Sequence, residues 1–301
     1  MTMSGQIAQE LPLRQGSRAF LRRFGAGSGR LLRNRLALCG LVISVLVVFV
    51  VVFAPLLTPY GPITMDYRAM LHAPSPAHLL GTDDLGRDVF TRTLYGGRLS
   101  LAVSLASVAL AVLGGLPLGL CAGYLGGVTD EIAMRLIDSL MALPPLVLAL
   151  TITAVLGPGL VNAMLAIAIV ALPGIARLVR GQVLALRHND YVLAARSVGV
   201  RPSLIVLRHV LPNVLNPVLV QAALGIGFAI ITESSVSFIG LGAQPPTATW
   251  GSMVQVGFQY LETAPWLAMA PAVLIFLAVL GFNMLGEGLR GALAPESRST
   301  G

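Results

Sequence analysis

Lysine does not occur in this 301-residue chain; all 20 basic side chains are arginine. A phosphate loop of the G-x-x-x-x-G-K-[ST] kind therefore cannot be completed, and ATP hydrolysis by that route is excluded. Neither H-E-x-x-H nor G-x-S-x-G occurs, so those two hydrolytic signatures are missing as well. Charge of either sign is scarce: 11% of residues are charged, against about a quarter in a soluble domain. Cysteine is limited to Cys39 and Cys121, both in apolar runs and without metal-ligand spacing. They read as small packing residues; a disulfide would need adjacent helices on an oxidising side. The four histidines (His72, His78, His188 and His209) fall on both sides of the topology derived below and make a poor metal site. No cofactor or metal is expected in the chain itself.

What is present is apolar. Hydrophobic residues make up 55% of the chain and the mean hydropathy is +0.82. This is the composition of an integral membrane protein, all-α, because a bilayer demands that backbone polar groups be satisfied within each span. The net charge of +7 then marks cytoplasmic loops rather than nucleic-acid binding.

Six spans emerge in order. Residues 1–35 form an arginine-rich tail that argues for a cytoplasmic N-terminus. The first span covers 36–57, too far from the N-terminus and too long for a signal-peptide core. Residues 58–97 make an excursion on the far side, including GTDDLGRD from Gly81 to Asp88. Its spacing fails as a calcium loop; Thr82 or Asp83 is expected to cap a short interfacial helix leading into the second span, 98–122. Gly115, Gly119, Gly123 and Gly127 recur every four residues there, a face that lets another helix come close.

The third span opens with Glu131, Arg135 and Asp138, spaced for i,i+4 and i,i+3 pairs. It runs to about Leu156 with a kink at Pro144-Pro145. The fourth covers 160–178. The fifth covers 214–240, with Asn213 or Asn216 as cap, and the sixth 265–286. Residues 98–290 thus form a transmembrane core, followed by a cytoplasmic tail, 291–301. With both termini inside, most arginines fall on the inner side.

Between the fourth and fifth spans lies a polar, arginine-bearing island, YVLAARSVGVRPSLIVLRHVLPN, from Tyr191 to Asn213. Helix formers up to Val198 are followed by Gly199, which accepts the left-handed conformation that ends a helix. Pro202 suits the first turn of a second short helix, and Pro212 is expected to end it. Two short helices meeting at a bend outside the bilayer are predicted. Farther on, Glu233 is the one acid within the fifth span. It reads as a gate or as a structural carboxylate near the helix end. Trp250 suits a membrane interface.

The island resembles the EAA loop of ABC importer permeases: an Ala-Ala pair, a Gly four residues later, then Leu-Pro. Here these are Ala194, Ala195, Gly199, Leu211 and Pro212, while the usual leading Glu is Leu193. His209 and Asn213 resemble the dipeptide/oligopeptide branch of that family. So do the Gly81–Asp88 signature, the Asp138-to-Pro145 region and the run from Glu233 to Gly251. The resemblance implies a type I importer fold with six transmembrane helices and residues 191–213 as the coupling loop. It also implies a place in a bacterial cytoplasmic (inner) membrane. The coupling residues would be Tyr191, Ala194, Ala195, Gly199, His209, Leu211, Pro212 and Asn213, with Ala195 and Gly199 where space is tight and His209 fixing the loop through hydrogen bonds. Implied partners are a second homologous permease, two ATP-binding subunits carrying ATP and Mg, an extracytoplasmic solute-binding protein and the lipid bilayer. Alternatives are the same build with nickel chelates or glycosides as cargo, an intramembrane enzyme using Glu233 or Asp138, or a passive channel.

Overall fold

The structure is a computed structural model, and it describes residues 34–293. The expectations for the arginine-rich tail, apart from its last two residues, and for residues 294–301 lie outside that range. Among the described residues every regular element is helical.

The elements are α1 (Arg35–Val52), α2 (Val89–Leu125), α3 (Gly127–Met141), α4 (Pro145–Leu156), α5 (Leu160–Leu186), α6 (Asp190–Ser197), α7 (Pro202–Ile205), α8 (Leu211–Phe238), α9 (Trp250–Gln259) and α10 (Trp266–Leu293). A further helical turn, Ala54–Leu57, follows α1. Five helical stretches are long and apolar enough to cross a membrane. The bent pair α3–α4 makes a sixth if counted as one span.

Side-chain size decides how the helices meet. Gly115, Gly119 and Gly123 put α2 directly against α5. A Cβ on Gly119 would sit 2.5 Å from the Ala176 carbonyl oxygen and 2.7 Å from Val179 Cβ. The expected close-packing face is therefore real, except that Gly127 lies beyond it, at φ +55° with open space around it. The first and last spans use the same device. Gly40 lies against the backbone of Leu285, Gly281 against Ser44 and Gly288 against Ala37. Between these two pairs runs α8, which closes one apolar core with Val47, Leu101, Ile230 and Phe282 and a second with Val179, Val210, Val214 and Val218.

Several expectations are corrected. The second span begins at Val89 rather than 98, with no separate interfacial helix. Its N-cap is Asp88, whose Oδ2 accepts from Thr91 N at 2.7 Å, not Thr82 or Asp83. The double proline does more than kink one helix: α3 and α4 stand at 91°. The fourth span runs on to Leu186. Arg135 pairs with Glu131 at 2.5 Å as expected, but Asp138 bonds Arg177 at 2.6 Å. Cys39 and Cys121 are free and exposed rather than packed.

Candidate functional site: an elbow rooted in two spans

The island after α5 folds as an elbow. Asn189 precedes α6, and Val192 is its one fully buried anchor. The helix stops where Gly199 takes φ +77°. Val200 N donates to the Ala195 carbonyl and Gly199 N to the Arg196 carbonyl, each at 3.1 Å. This is the paired 6→1 and 5→2 closure that a left-handed glycine permits. The chain then enters α7 with Pro202 in its first turn.

Pro212 does not end that segment. Residues Val206–Val210 take π-helical hydrogen bonding and lead straight into α8, where Pro212 occupies the first turn. The helix is continuous from Pro202 to Phe238, and the wider π-helical turn before Pro212, closed by Leu211 N on the Val206 carbonyl, carries the chain through a residue with no N–H to donate. Neither Asn213 nor Asn216 caps α8. Asn213 Nδ2 instead donates to the His209 carbonyl at 2.7 Å. The His209 ring stacks on Tyr191, centroids 6.4 Å apart, and its Nδ1 is buried without a partner among the described residues. The ring therefore fixes the bend by stacking between α6 and the π-helical turn Val206–Val210 rather than by the hydrogen bonds expected of it.

The elbow is rooted but open. Val192, Ile205 and Val210 are wholly buried, and Arg196 lies over the Tyr124 ring near the end of α2. Ala194 and Gly199 are exposed, Ala195 half-buried, and Tyr191, Leu193, Val198 and Leu207 present apolar surface. Leu211, Pro212 and Asn213 are half-buried at the root of α8. Nothing in the chain would meet a Cβ at Gly199. Its constraint is the backbone angle, not crowding by this chain.

Two ion pairs carry the elbow's supporting helix onward. Arg180 of α5 grips Asp130 of α3 with two bonds, 2.5 and 2.7 Å, and Arg177 reaches Asp138. The α3–α4 break, α2, α5 and α8 then surround a cavity of about 520 Å³. Sequence reasoning missed both arrangements, because the ion pairs join residues 50 and 39 positions apart.

At the opposite end of the bundle, Glu233 is completely buried. Ser237 Oγ donates to its Oε1 at 2.8 Å, and Oε2 has no partner among the described residues. Ser100 and Thr249 also face the carboxyl. Trp250, expected at an interface, is fully buried. Its N donates to Ser100 Oγ at 3.1 Å and its Nε1 to the Thr93 carbonyl at 2.9 Å. Glu233 and Trp250 thus belong to one junction of α2, α8 and α9. Asp138, at the other end, is not near it.

The Gly81–Asp88 segment, whose part the sequence left open, caps the same end. Arg87 Nε donates to Asp83 Oδ2 at 2.6 Å, and Arg92 lies 3.3 Å from the same oxygen, all three side chains being buried. His78 Nδ1 lies 2.9 Å from Asp88 Oδ1. Trp266 Nε1 donates to the Thr82 carbonyl at 3.3 Å, tying this cap to the start of α10.

This arrangement of two packed helix pairs, with an elbow between the fourth and fifth spans, is the type I ABC importer permease fold. Among solved structures, the methionine ABC transporter in its inward-facing form is similar at TM-score 0.54 and 20% identity, over 68% of this chain and 97% of that one. Residues 115–299 match the family described as binding-protein-dependent transport system inner membrane component. Residues 28–74 match the N-terminal TM domain of oligopeptide transport permease C.

Similar relatives include the dipeptide transport system permease protein of Alkalihalophilus pseudofirmus, 45% identical over 90% of this chain and 89% of the relative. The glutathione transport system permease protein of Pectobacterium atrosepticum is 41% identical over 97% and 95%. The oligopeptide transport system permease protein of Bacillus subtilis is 40% identical over 88% and 87%. The chain belongs to the ABC importer permeases, in the dipeptide/oligopeptide permease C branch.

Proposed function

We propose that this chain is the permease subunit of an ATP-driven importer of short peptides in a bacterial inner membrane, with both termini and the elbow in the cytoplasm. It works with a second homologous permease, two ATP-binding subunits and an extracytoplasmic solute-binding protein. ATP and Mg belong to the ATP-binding subunits; the chain contributes walls, hinge and lever. The observation that carries this reading is the elbow, an exposed surface whose first arm follows α5 after a three-residue break and whose second arm runs unbroken into α8.

Closure of the ATPases pushes on Tyr191, Leu193, Ala194, Ala195 and Gly199. The stacked Tyr191–His209 pair and the root at Leu211, Pro212 and Asn213 pass that push to α8. Arg180 and Arg177 pass it to α3 through Asp130 and Asp138. Both paths converge on the cavity at the α3–α4 break. Glu233 acts as a structural carboxylate that pins α9 at the far end, leaving the elbow end free to rock.

The test is reconstitution with the neighbouring permease, ATPases and binding protein. Dipeptide uptake that needs ATP, and cross-linking of a cysteine at position 194 to the ATPase, are the expected results. Uptake of nickel chelates without any peptide, or labelling of the elbow only from outside the cell, would defeat the reading.

A further inference from the structure

The elbow carries an imbalance of charge. From Tyr191 to Asn213 the chain has Arg196, Arg201 and Arg208 and no acidic residue. All three arginines are exposed, and among the described residues none makes an ion pair. The acid just before the elbow, Asp190, sits in the first turn of α6, where the positive end of the helix dipole favours it. Elsewhere the chain neutralises its own arginines. Arg135 faces Glu131, Arg177 faces Asp138, Arg180 faces Asp130 and Arg290 faces Glu287, at 2.5 to 3.1 Å. A cytoplasmic placement accounts for arginine here. It does not account for acids being supplied to those four and withheld from the elbow.

Position separates the three. Arg196 is turned back on its own chain, its guanidinium carbon 5.5 Å from the centre of the Tyr124 ring. Arg201 stands at the bend, immediately before α7, and Arg208 lies in the π-helical turn. Tyr191, Leu193, Val198 and Leu207 are 41 to 79% exposed among them. We infer that the elbow is received by an acidic cleft: the ATP-binding subunit sets carboxylates opposite Arg201 and Arg208, around apolar ground for those four side chains. This rests on the docking reading above and adds the chemistry of the partner.

A surface that closes over the elbow takes water from both guanidiniums, and a charge stripped of water without a counter-charge is costly. Carboxylates meet that cost, and their two oxygens match the guanidinium fork. A cleft rich in Lys or Arg is repelled, so the same two arginines discriminate among ATPases. A bilayer surface fits less well. Tyr191 and Leu193 are two positions apart, about 200° around α6, so their exposed side chains point to opposite sides. A helix lying on a membrane needs one apolar face; a cleft encloses both sides.

The experiment uses the assembled transporter in proteoliposomes of phosphatidylcholine alone. Retention of the ATP-binding subunits on the vesicles is followed as NaCl rises from about 0.1 to 1 M, which shortens the screening length from about 10 to 3 Å. The wild type should release them as salt rises. An exposed ion pair is worth up to about fivefold in affinity. Arg201→Gln with Arg208→Gln should therefore hold them about three- to twentyfold more weakly at 0.1 M and match the wild type at 1 M. Arg201→Lys with Arg208→Lys keeps the charge and should keep most of the salt response. A Gln double variant identical to the wild type at both salt concentrations would overturn the inference. So would a salt response that appears only when phosphatidylglycerol is added, which would put the arginines on lipid. If Ala194→Cys fails to cross-link to the ATPase, the docking reading itself fails; if it cross-links while the Gln double variant behaves as wild type, only the acidic cleft is lost.

Discussion

Replacing Gly199 with Ala isolates the elbow's backbone from its surface. The residue sits at φ +77°, and a Cβ there touches nothing in the chain. Only the cost of holding an L-residue in the left-handed region is added, about 1–2 kcal/mol. At about 1.4 kcal/mol per tenfold, the bent elbow loses a factor of about 5–30 against conformations in which the two 3.1 Å closing bonds are open. Asn tolerates this region better and should lose less.

The assay is cargo-stimulated ATP hydrolysis by the assembled transporter at matched amounts in the membrane. Stimulation should fall in the order Gly, Asn, Ala, while hydrolysis without cargo is unchanged. Full stimulation in the Ala variant would refute the idea that the bend transmits force. Equal impairment by Asn and Ala would refute the backbone argument and point to side-chain volume at the docked face instead.

Gly119→Leu should destabilise by about 3 kcal/mol, because its Cβ would press on the Ala176 carbonyl and Val179. Gly181→Ala, a helical position with open space, should be neutral or gain about 0.5–1 kcal/mol; melting in detergent compares the two. Asp130→Asn keeps one acceptor for Arg180 but removes the charge and the second of the paired bonds, and should cost about 1 kcal/mol. Exchanging the charges, Asp130→Arg with Arg180→Asp, should restore stimulated hydrolysis if the contact itself matters, and failure to recover any of it would refute the pairing. Glu233→Gln keeps an acceptor for Ser237 and should be mild, whereas Glu233→Leu should cost about 1–3 kcal/mol by stranding that hydroxyl. Equal melting temperatures for the two would count against the buried junction.

Apolar run length was enough to number the spans and to locate the elbow between the fourth and fifth. Their ends were less legible because these helices do not stop at the bilayer edge. Val89–Gly97 continues α2, with Gly97 against the Trp250 ring, a contact across more than 150 positions that no local pattern carries. Pro212 looked like a stop because proline removes a helical N–H, yet the π-helical turn of Val206–Val210 carries the chain through it. Asp138 had a partner of the right spacing in Arg135, but Arg177 came closer through the fold. Gly199 was readable because its constraint is local, and so was the glycine face of α2. The cavity at the α3–α4 break needed five helices brought together, α2, α3, α4, α5 and α8, although the double proline beside it stood in plain view.

The interlock of α1 with α10 sets the order of biogenesis. Gly40, Gly281 and Gly288 make that contact nearly backbone to backbone, and Thr82 waits for Trp266. The first helix inserted finds its permanent neighbour only when the ribosome has delivered the last. A chain stopped short of α10 therefore leaves the small-residue strip of α1, with Ala37, Gly40 and Ser44, without the neighbour it was shaped for.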